Sequence, residues 1–331
     1  MSEPPVLEIR GLHVTFTAHG REIPAVRGVD LTIERGQTLA LLGESGSGKS
    51  VTAKAVMGLL DQPNARVRCE AARLGGRDLL AMRADELRAL RGSEMTLVFQ
   101  DALSALNPVL SIGDQIGELY RVHRGLSRRQ ARARAIEMLD LVGIPAAAER
   151  VDDYPHQFSG GMRQRILVAM AVALEPDLII ADEPTTALDV TVQAQILELI
   201  DRLRRELGTA VLLITHDLGV AAEVSDRVAV MYAGRIVESG EVGELYERPG
   251  HPYTAALLAA IPDLDSPASE LRAIPGAPPS PAEVPPGCSF APRCDRASEI
   301  CVTTRPPLQP LATGRYAACH HSEEVLDGAH A

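Results

Sequence analysis

A glycine-rich loop at residues 43–50 constrains this chain more than any other part of its sequence. The loop reads G-E-S-G-S-G-K-S and fits the pattern G-x-x-x-x-G-K-[ST]. An apolar run at 38–42 precedes it and a helical pattern follows, so the sequence predicts a strand, a loop and a helix in that order. The alternative is a glycine-rich turn without a ligand.

The residue types of this loop are those that a nucleotide phosphate requires. Glycines let successive backbone N–H groups point at phosphate oxygens, and the helix that follows offers its positive end. In this pattern the lysine reaches the β- and γ-phosphates and the serine ligates Mg²⁺. We therefore predict binding of a nucleoside triphosphate with Mg²⁺ by the following residues: Gly43, Glu44, Ser45, Gly46, Ser47, Gly48, Lys49, Ser50 and Val51.

Composition excludes several classes of protein. A hydrophobic fraction of 46% and a mean hydropathy of +0.02 over 331 residues are typical of a globular protein. No run approaches the roughly 18 to 20 apolar residues that cross a bilayer. The first residues lack the basic start and apolar stretch of a secretory signal, so we expect a cytosolic chain. The net charge of −11 disfavours a broad nucleic-acid surface.

Strand and helix patterns alternate along much of the chain. Segments 6–16 and 25–33 alternate apolar and polar residues, as half-buried antiparallel strands do. Short apolar runs that predict strands buried on both faces lie at 96–99, 178–181, 210–214 and 228–232. Helical patterns fall between them, for example at 192–206 before Gly208. This alternation predicts an α/β domain.

Two regions depart from the alternation. Between about 101 and 175 helical patterns replace strands, which predicts a helical insertion. After 262 the prolines of 274–287 predict an extended linker, a small attachment and a loose tail over the last dozen residues. The predicted domains are residues 1–262, with a helical subdomain at about 101–175, and an extension at 263–331.

Two neighbouring carboxylates, Asp182 and Glu183, end the apolar run at 178–181. The first would complete the Mg²⁺ shell and the second would polarise water, unless this is an acidic strand end without special purpose. A glycine turn at 158–162 enters a helical run and is a second candidate anion site. One chain thus carries two candidate phosphate sites.

With these residues in place, the sequence over about 6–245 resembles the ATP-binding subunit of an ABC transporter. The family's six motifs all occur here, in the expected order. They are Walker A with Lys49 and Ser50, the Q-loop with Gln100, the signature with Ser159, Gly160 and Gly161, Walker B with Asp182 and Glu183, the D-loop at 187–189 and the switch histidine His216. Phe158 and Met162 replace the commoner leucine and glutamine of the signature.

The resemblance implies an ABC-type P-loop NTPase: an α/β fold with a mixed or parallel sheet core, an antiparallel β edge, a helical insertion and a small cysteine-rich extension. It implies that two cassettes pair head to tail, each ATP lying between one Walker A loop and the partner's signature. Glu183, His216 and Gln100 are the implied catalytic residues. Further implied contacts are Phe16, Asp182, Ser159, Gly160, Gly161 and Asp189 with ATP, and Ser50, Gln100 and Asp182 with Mg²⁺.

Phe16 lies 33 residues before Lys49, where the family places the aromatic ring that stacks on adenine. A phenylalanine in an alternating strand is otherwise a core residue.

The segment 251–262, the linker and a cysteine cluster resemble the tail of oligopeptide and dipeptide importers, a tail that nickel and glutathione importers share. The resemblance implies a peripheral ATPase on the cytoplasmic face of the cell membrane. Its implied partners are two transmembrane permease subunits, a second and related ATP-binding subunit and, indirectly, an extracytoplasmic peptide-binding protein, with no nucleic acid.

Four of the five cysteines cluster in this tail, at Cys288, Cys294, Cys301 and Cys319. A reducing cytosol leaves a metal ion, an iron–sulfur cluster or free thiols as options, and the spacing lacks the paired C-x₂-C knuckles of structural zinc. Some members of the subfamily bind a 4Fe-4S cluster with a matching tail, which the resemblance implies here. His320 and His321 keep a mixed Cys/His zinc site (Zn²⁺) as the alternative.

Two rival functions make different predictions. A cassette that acts as a clamp on nucleic acid would carry inserted zinc modules, long coiled coils or a second cassette, and the sequence has none of these patterns. A regulatory protein that binds ATP without turnover would not need both Glu183 and His216.

Overall fold

The computed structural model describes residues 4–60, 63–185, 188–261, 274–312 and 314–328. Contacts divide the chain into two compact units. The first comprises the described residues within 1–7, 33–37 and 73–214, and the second those within 8–32, 38–72 and 215–331.

The strands, in chain order, are β1 (Leu7–Ala18), β2 (Arg21–Ile33), β3 (Thr38–Leu42), β4 (Ala65–Arg68), β5 (Ala71–Leu74), β6 (Arg77–Asp78), β7 (Met95–Val98), β8 (Leu178–Asp182), β9 (Ala210–Ile214), β10 (Arg227–Tyr232), β11 (Arg235–Glu241), β12 (Gln309–Ala312) and β13 (Arg315–Ala317).

The α-helices are α1 (Lys49–Val56), α2 (Ala84–Leu90), α3 (Ala102–Ala105), α4 (Ile112–Arg124), α5 (Arg128–Leu141), α6 (Ala147–Arg150), α7 (Gly160–Val172), α8 (Val190–Leu207), α9 (Leu218–Val224), α10 (Val242–Glu247), α11 (Pro252–Ala259), α12 (Glu299–Thr303) and α13 (Ser322–Gly328). Short 3₁₀ turns lie at Leu79–Ala81, Pro155–Gln157 and Ala291–Arg293.

The first unit contains three parallel strands, β7, β8 and β9, with β8 in the middle. All five residues of β8 and all five of β9 are buried. Strands covered on both faces read as continuous apolar runs, which is why the sequence located them within one residue. The register pairs Val98 with Ala181 and Asp182 with Ile214, so the carboxyl ends of these strands are level.

Helices α3 to α7 follow β7 in the first unit, and the range 101–175 contains no strand. Ser111 caps α4 by accepting from the Asp114 N–H, and Ser127 caps α5 by accepting from the Gln130 N–H. Gly117 of α4 lies against Ala131 of α5, where an added Cβ would meet the Ala131 side chain at 3.5 Å. The predicted helical insertion is therefore confirmed.

The second unit contains an open sheet in the order β3, β10, β11, β13 and β12. β3 and β10 are parallel, and the remaining pairs are antiparallel. In the same unit β1 pairs antiparallel with β4 and is a hydrogen-bonded neighbour of β2. These pairings provide the predicted antiparallel edge.

The C-terminal extension is built into this unit. Its strand β13 pairs with β11, with Glu238 opposite Ala317, and Phe290 packs in the core beside Tyr232 and Tyr253. The prediction of a loose tail is wrong for residues 322–328, because they form α13 and bury Val325. Among the described residues, no helix is both long enough and apolar enough to cross a membrane.

Candidate nucleotide-binding site

The loop at 43–50 connects β3 to α1 in the second unit, as the sequence predicts. Two of its glycines are required by close backbone contacts. A Cβ at Gly43 would lie 2.1 Å from the Met231 carbonyl oxygen, and a Cβ at Gly48 would lie 2.6 Å from that of Ala25. Both residues also have positive φ, +146° and +108°. The loop is therefore packed closely against neighbouring backbone at both glycines.

The first turn of α1 is suited to an anion. Gly48 is its N-cap, and no side chain of the described residues caps it, so its N-terminal dipole faces the loop. Lys49 is 5% exposed, and its ammonium donates to the carbonyl oxygens of Gly43 at 2.6 Å and Glu44 at 3.0 Å. The lysine is thus positioned over the loop.

The side chains of this loop fit a phosphate ligand. Ser47 Oγ is buried and, among the described residues, has no hydrogen-bond partner, so a phosphate oxygen or water would satisfy it. Ser50 and Val51 follow Lys49 in the first turn of α1 and are half-buried, while Ser45 and Gly46 are exposed. The donor set is of the kind that a phosphate ligand requires.

Phe16 and His216 also belong to the second unit. Phe16 is half-buried in β1 opposite Ala65 of β4, and it is not one of the buried core residues. His216 is exposed in the loop that precedes α9, next to Asp217, whose carboxylate caps that helix by accepting from Val220 at 3.1 Å. Both rings are thus accessible to a ligand.

Asp182, Glu183 and Gln100 lie together in the first unit. Asp182 ends β8 and is 7% exposed. Val98 pairs with Ala181, and Gln100 and Glu183 follow this pair by two residues, just beyond the ends of β7 and β8. The Gln100 amide Nε2 donates to Glu183 Oε2 at 3.0 Å. The predicted catalytic pair is brought into direct contact.

Glu183 has an unusual backbone. Its φ is +49°, a left-handed value that costs of order 1 kcal/mol or more in a residue other than glycine. Its N–H donates to the Ile214 carbonyl oxygen at 2.9 Å, which maintains the conformation at the end of the parallel strands. Strain of this kind is common where a side chain must be aimed at a substrate.

The signature residues begin α7. Ser159 is the N-cap, and its hydroxyl accepts from the Met162 N–H at 3.3 Å. Gly160 is exposed, whereas a Cβ on Gly161 would lie 2.7 Å from Val192 Cγ1 of α8. Gly160 is therefore free of packing constraints, while Gly161 allows α7 and α8 to approach.

The two unusual signature residues share one neighbour. The Arg150 guanidinium lies 4.1 Å from the centre of the Phe158 ring and donates to the Met162 sulfur at 3.5 Å. Phe158 is 2% exposed, so it packs in the interior, and the departure from leucine is accommodated by a cation–π contact.

Asp189 caps α8, where its Oδ1 accepts from the Val192 N–H at 2.9 Å. It thus has a structural role besides the predicted contact with ATP. Ala187, in the predicted D-loop, lies outside the described residues.

Comparison with known proteins decides the family. Residues 26–186 match the family described as "ABC transporter", and residues 237–301 match "Oligopeptide/dipeptide transporter, C-terminal region". The chain is 52% identical over 315 residues to the "Putative peptide import ATP-binding protein" of Brucella abortus (strain 2308), covering 95% of this chain and 94% of the relative. The chain belongs to the ABC transporter ATPases.

Further relatives of this ABC ATPase agree. The "Dipeptide transport ATP-binding protein DppD" of Bacillus subtilis (strain 168) is 50% identical, covering 89% of this chain and 88% of that protein. Among solved structures, the ATP-binding cassette MJ0796, a dimer bound to ADP and Pi, matches with a TM-score of 0.62 and 28% identity over 71% of this chain and 98% of that chain. The ABC ATPase fold and an ATPase activity coupled to transport follow from these matches.

The four clustered cysteines of this ABC ATPase line one small pocket, Cys288, Cys294, Cys301 and Cys319, together with His320 and His321. Burial raises the pKa of Cys288, Cys294 and Cys319, the last to about 11, so these thiols are protonated at neutral pH without a metal. In the described part of the chain, no three Cys, His, Asp or Glu side chains are close enough to bind a single metal ion. Cys69 lies apart, in hydrogen-bonding distance of the Arg10 and Ala71 carbonyl oxygens.

Sequence reasoning missed one set of residues around the phosphate loop. Arg293 donates to the Glu44 carboxylate, and Tyr253 accepts from the Glu44 N–H at 2.9 Å. Arg293 is 249 residues from Glu44 and Tyr253 is 209. No local pattern signals a contact at that separation.

Proposed function

We propose that this chain is the ATP-hydrolysing subunit of a membrane importer of di- and oligopeptides. The observation that carries the proposal is the C-terminal match at 237–301 to the oligopeptide and dipeptide transporter family, in a chain that also matches an ABC ATPase. The names of its relatives, which concern peptide import and dipeptide transport, support the same substrate class.

The proposed nucleotide contacts follow the loop geometry. Backbone N–H groups of residues 43–51 and the Lys49 ammonium bind the phosphates, and Phe16 stacks on adenine. Ser50, Asp182 and Gln100 complete the Mg²⁺ shell, which supplies charge neutralisation at the β- and γ-phosphates when it is bound. The buried Ser47 hydroxyl supports this assignment, because a phosphate oxygen would provide the partner it lacks.

Hydrolysis is proposed to use Glu183 as the residue that orients and polarises the attacking water. Its hydrogen bond with Gln100 and its left-handed backbone aim the carboxylate before substrate arrives. His216 contacts the γ-phosphate and stabilises charge that develops during in-line displacement.

Assembly is proposed to occur as a head-to-tail pair of cassettes. Ser159, Gly160, Gly161 and Asp189 of one cassette would contact the nucleotide of the other, and the exposed Gly160 supports this. The relative MJ0796 is a dimer in its ADP and Pi complex, which supports the same arrangement here. The second subunit would be a related ATPase, and both would associate with two permease subunits at the cytoplasmic face of the membrane.

The domain boundaries at 1–262 and 263–331, and the helical subdomain at about 101–175, are part of the proposal. The end of α11 at Ala259 supports the boundary near residue 262, and helices α3 to α7 support the helical subdomain at about 101–175. A peptide-binding protein outside the cell and the permease channel would select the cargo. Nucleic acid is not a proposed partner.

We further propose a 4Fe-4S cluster bound by Cys288, Cys294, Cys301 and Cys319. The four thiols share one pocket, which fits a four-cysteine donor set. The shared pocket is the observation that supports the proposed cluster.

Metal analysis of anaerobically purified protein tests this. A broad absorption near 400 nm with about four iron atoms per chain is expected. One zinc per chain without colour would indicate a Cys/His zinc site instead of the cluster. Protein without any metal would contradict both.

Transport is tested by uptake in cells that lack this chain. Complementation with the parent chain should restore uptake of labelled di- and pentapeptides, and complementation with Lys49→Ala should not. Restored uptake of nickel or glutathione without peptides would reassign the substrate. Equal uptake with Lys49→Ala would mean that the chain does not power the importer.

A further inference from the structure

Arg293 connects the C-terminal extension to the phosphate loop within the second unit. Its Nη1 donates to Glu44 Oε2 at 2.7 Å, and its Nη2 donates to Glu44 Oε1 at 3.0 Å. Glu44 is the second residue of the loop. Two parallel hydrogen bonds are the geometry in which arginine binds a carboxylate most specifically.

The other sides of Arg293 are also occupied. Its Nε donates to the Pro275 carbonyl oxygen at 2.8 Å, and its Nη1 donates to the Tyr232 hydroxyl at 3.3 Å. The guanidinium lies 5.9 Å from the ring centres of both Tyr232 and Phe290. The side chain is 4% exposed, and a charge buried to this extent requires its acid partner.

Glu44 itself is fixed at three points. Its carboxylate binds Arg293, its N–H donates to the Tyr253 hydroxyl at 2.9 Å, and its carbonyl oxygen accepts from Lys49 at 3.0 Å. The first two contacts come from residues beyond the phosphate loop, and Tyr253 is fully buried. The entry to the loop is therefore shaped by the C-terminal part of the chain.

We propose that Arg293 is a positioning residue for nucleotide binding, which acts by binding and neutralising the Glu44 carboxylate. Without Arg293, that carboxylate would compete for the Lys49 ammonium and repel the incoming phosphates. Two unit charges about 10 Å apart at an effective dielectric constant of about 20 change an affinity by roughly tenfold. The proposal rests on the proposed binding of nucleotide by residues 43–50.

A double-mutant cycle tests whether Arg293 affects nucleotide binding through the charge of Glu44. The dissociation constant of Mg²⁺–ADP is measured by calorimetry on the full-length chain, for Arg293→Ala in the parent background and in a Glu44→Gln background. Arg293→Ala should weaken binding about tenfold in the parent and less than twofold when Glu44 carries no charge. A purely structural role of Arg293 would give the same loss in both backgrounds. Arg293→Lys should be intermediate, because it supplies charge without the paired hydrogen bonds.

Arg296→Ala is the matched control. Arg296 lies on the other side of Cys294, is exposed, and donates to the Glu324 carbonyl oxygen at 3.1 Å. Its removal should leave the Mg²⁺–ADP affinity unchanged. Iron and thermal stability are measured for every variant, so that loss of metal or fold is separated from loss of the Glu44 contact.

Lys49→Ala distinguishes the positioning role of Arg293 from the phosphate site on which that role rests. If Lys49→Ala abolishes binding while Arg293→Ala binds as the parent does, the positioning role is wrong and the phosphate site stands. If Lys49→Ala also binds normally, the site and the positioning role both fail. If Arg293→Ala costs the same in both backgrounds, the effect does not pass through the Glu44 charge, and the proposal is overturned.

Discussion

The Gln100 amide donates to the Glu183 carboxylate at 3.0 Å, joining the residues that follow two adjacent parallel strands. The register of β7 and β8 sets this contact, because Val98 and Ala181 are paired two residues earlier on each strand. A change in register by one residue would separate the two side chains. The catalytic geometry therefore depends on buried apolar pairs that have no chemical role.

Replacing Glu183 with glutamine should trap the ATP-bound pair of cassettes. The amide retains the size of the carboxylate but no longer polarises water, so kcat should fall at least about 100-fold while ATP affinity changes little. Size-exclusion chromatography with ATP and the related partner ATPase should show a dimer that the parent chain does not accumulate. Unchanged turnover in this variant would exclude Glu183 from catalysis.

Replacing Gln100 with alanine should lower kcat by about tenfold and leave the affinity for Mg²⁺–ADP within about threefold. The side chain restrains Glu183, and an unrestrained carboxylate spends less time in the productive position. Steady-state kinetics and calorimetry on the same preparation separate the two effects. A larger loss of affinity than of kcat would assign Gln100 chiefly to nucleotide binding.

Gly48→Ala should impair nucleotide binding at least tenfold more than Gly46→Ala. Both residues have positive φ, but a Cβ on Gly46 meets no atom within 4 Å, while one on Gly48 lies 2.6 Å from the Ala25 carbonyl oxygen. Gly46→Ala introduces only backbone strain, whereas Gly48→Ala must also displace neighbouring main chain. Calorimetry with Mg²⁺–ADP measures the difference. Equal losses would show that strain alone decides.

Much of the fold was predictable because its strands are short and buried on both faces. β8, β9 and β10 begin and end within one residue of the predicted runs, since Val, Ile and Leu in runs of five or six specify such strands. β4 was missed because it reads Ala-Arg-Val-Arg and is largely exposed at an edge. β13 was missed because it pairs with β11, about 75 residues earlier in the chain, and β12 was missed because, among the described strands, it pairs only with β13.

The residues of the candidate site were likewise only partly predictable from the sequence. Lys49, Asp182 and Glu183 were located because local motifs place them at strand ends. Arg293 was not, because its role depends on a fold that brings residue 293 to residue 44. Arg293 lies directly before Cys294, and the only pattern used in that segment was the spacing of the cysteines. Contacts of this separation are set by tertiary packing and leave no local periodicity.

The two signature glycines should fail for different reasons when each is replaced by alanine. Gly161→Ala places a Cβ 2.7 Å from Val192 Cγ1, so it should destabilise the chain by about 1–3 kcal/mol through overpacking of α7 against α8. Gly160→Ala meets no atom closer than 3.9 Å and should leave the unfolding free energy within about 0.5 kcal/mol. Urea unfolding measures both values.

ATPase activity separates the pair further. Gly160→Ala should reduce turnover at least tenfold at saturating ATP, because the residue is proposed to contact the nucleotide of the partner cassette, where a Cβ would intrude. Adding Val192→Ala to Gly161→Ala should restore stability, since it removes the methyl group that the new Cβ meets. The same addition should not rescue Gly160→Ala. If it did, the loss in Gly160→Ala would come from helix packing, and the signature would have no separate contact with nucleotide.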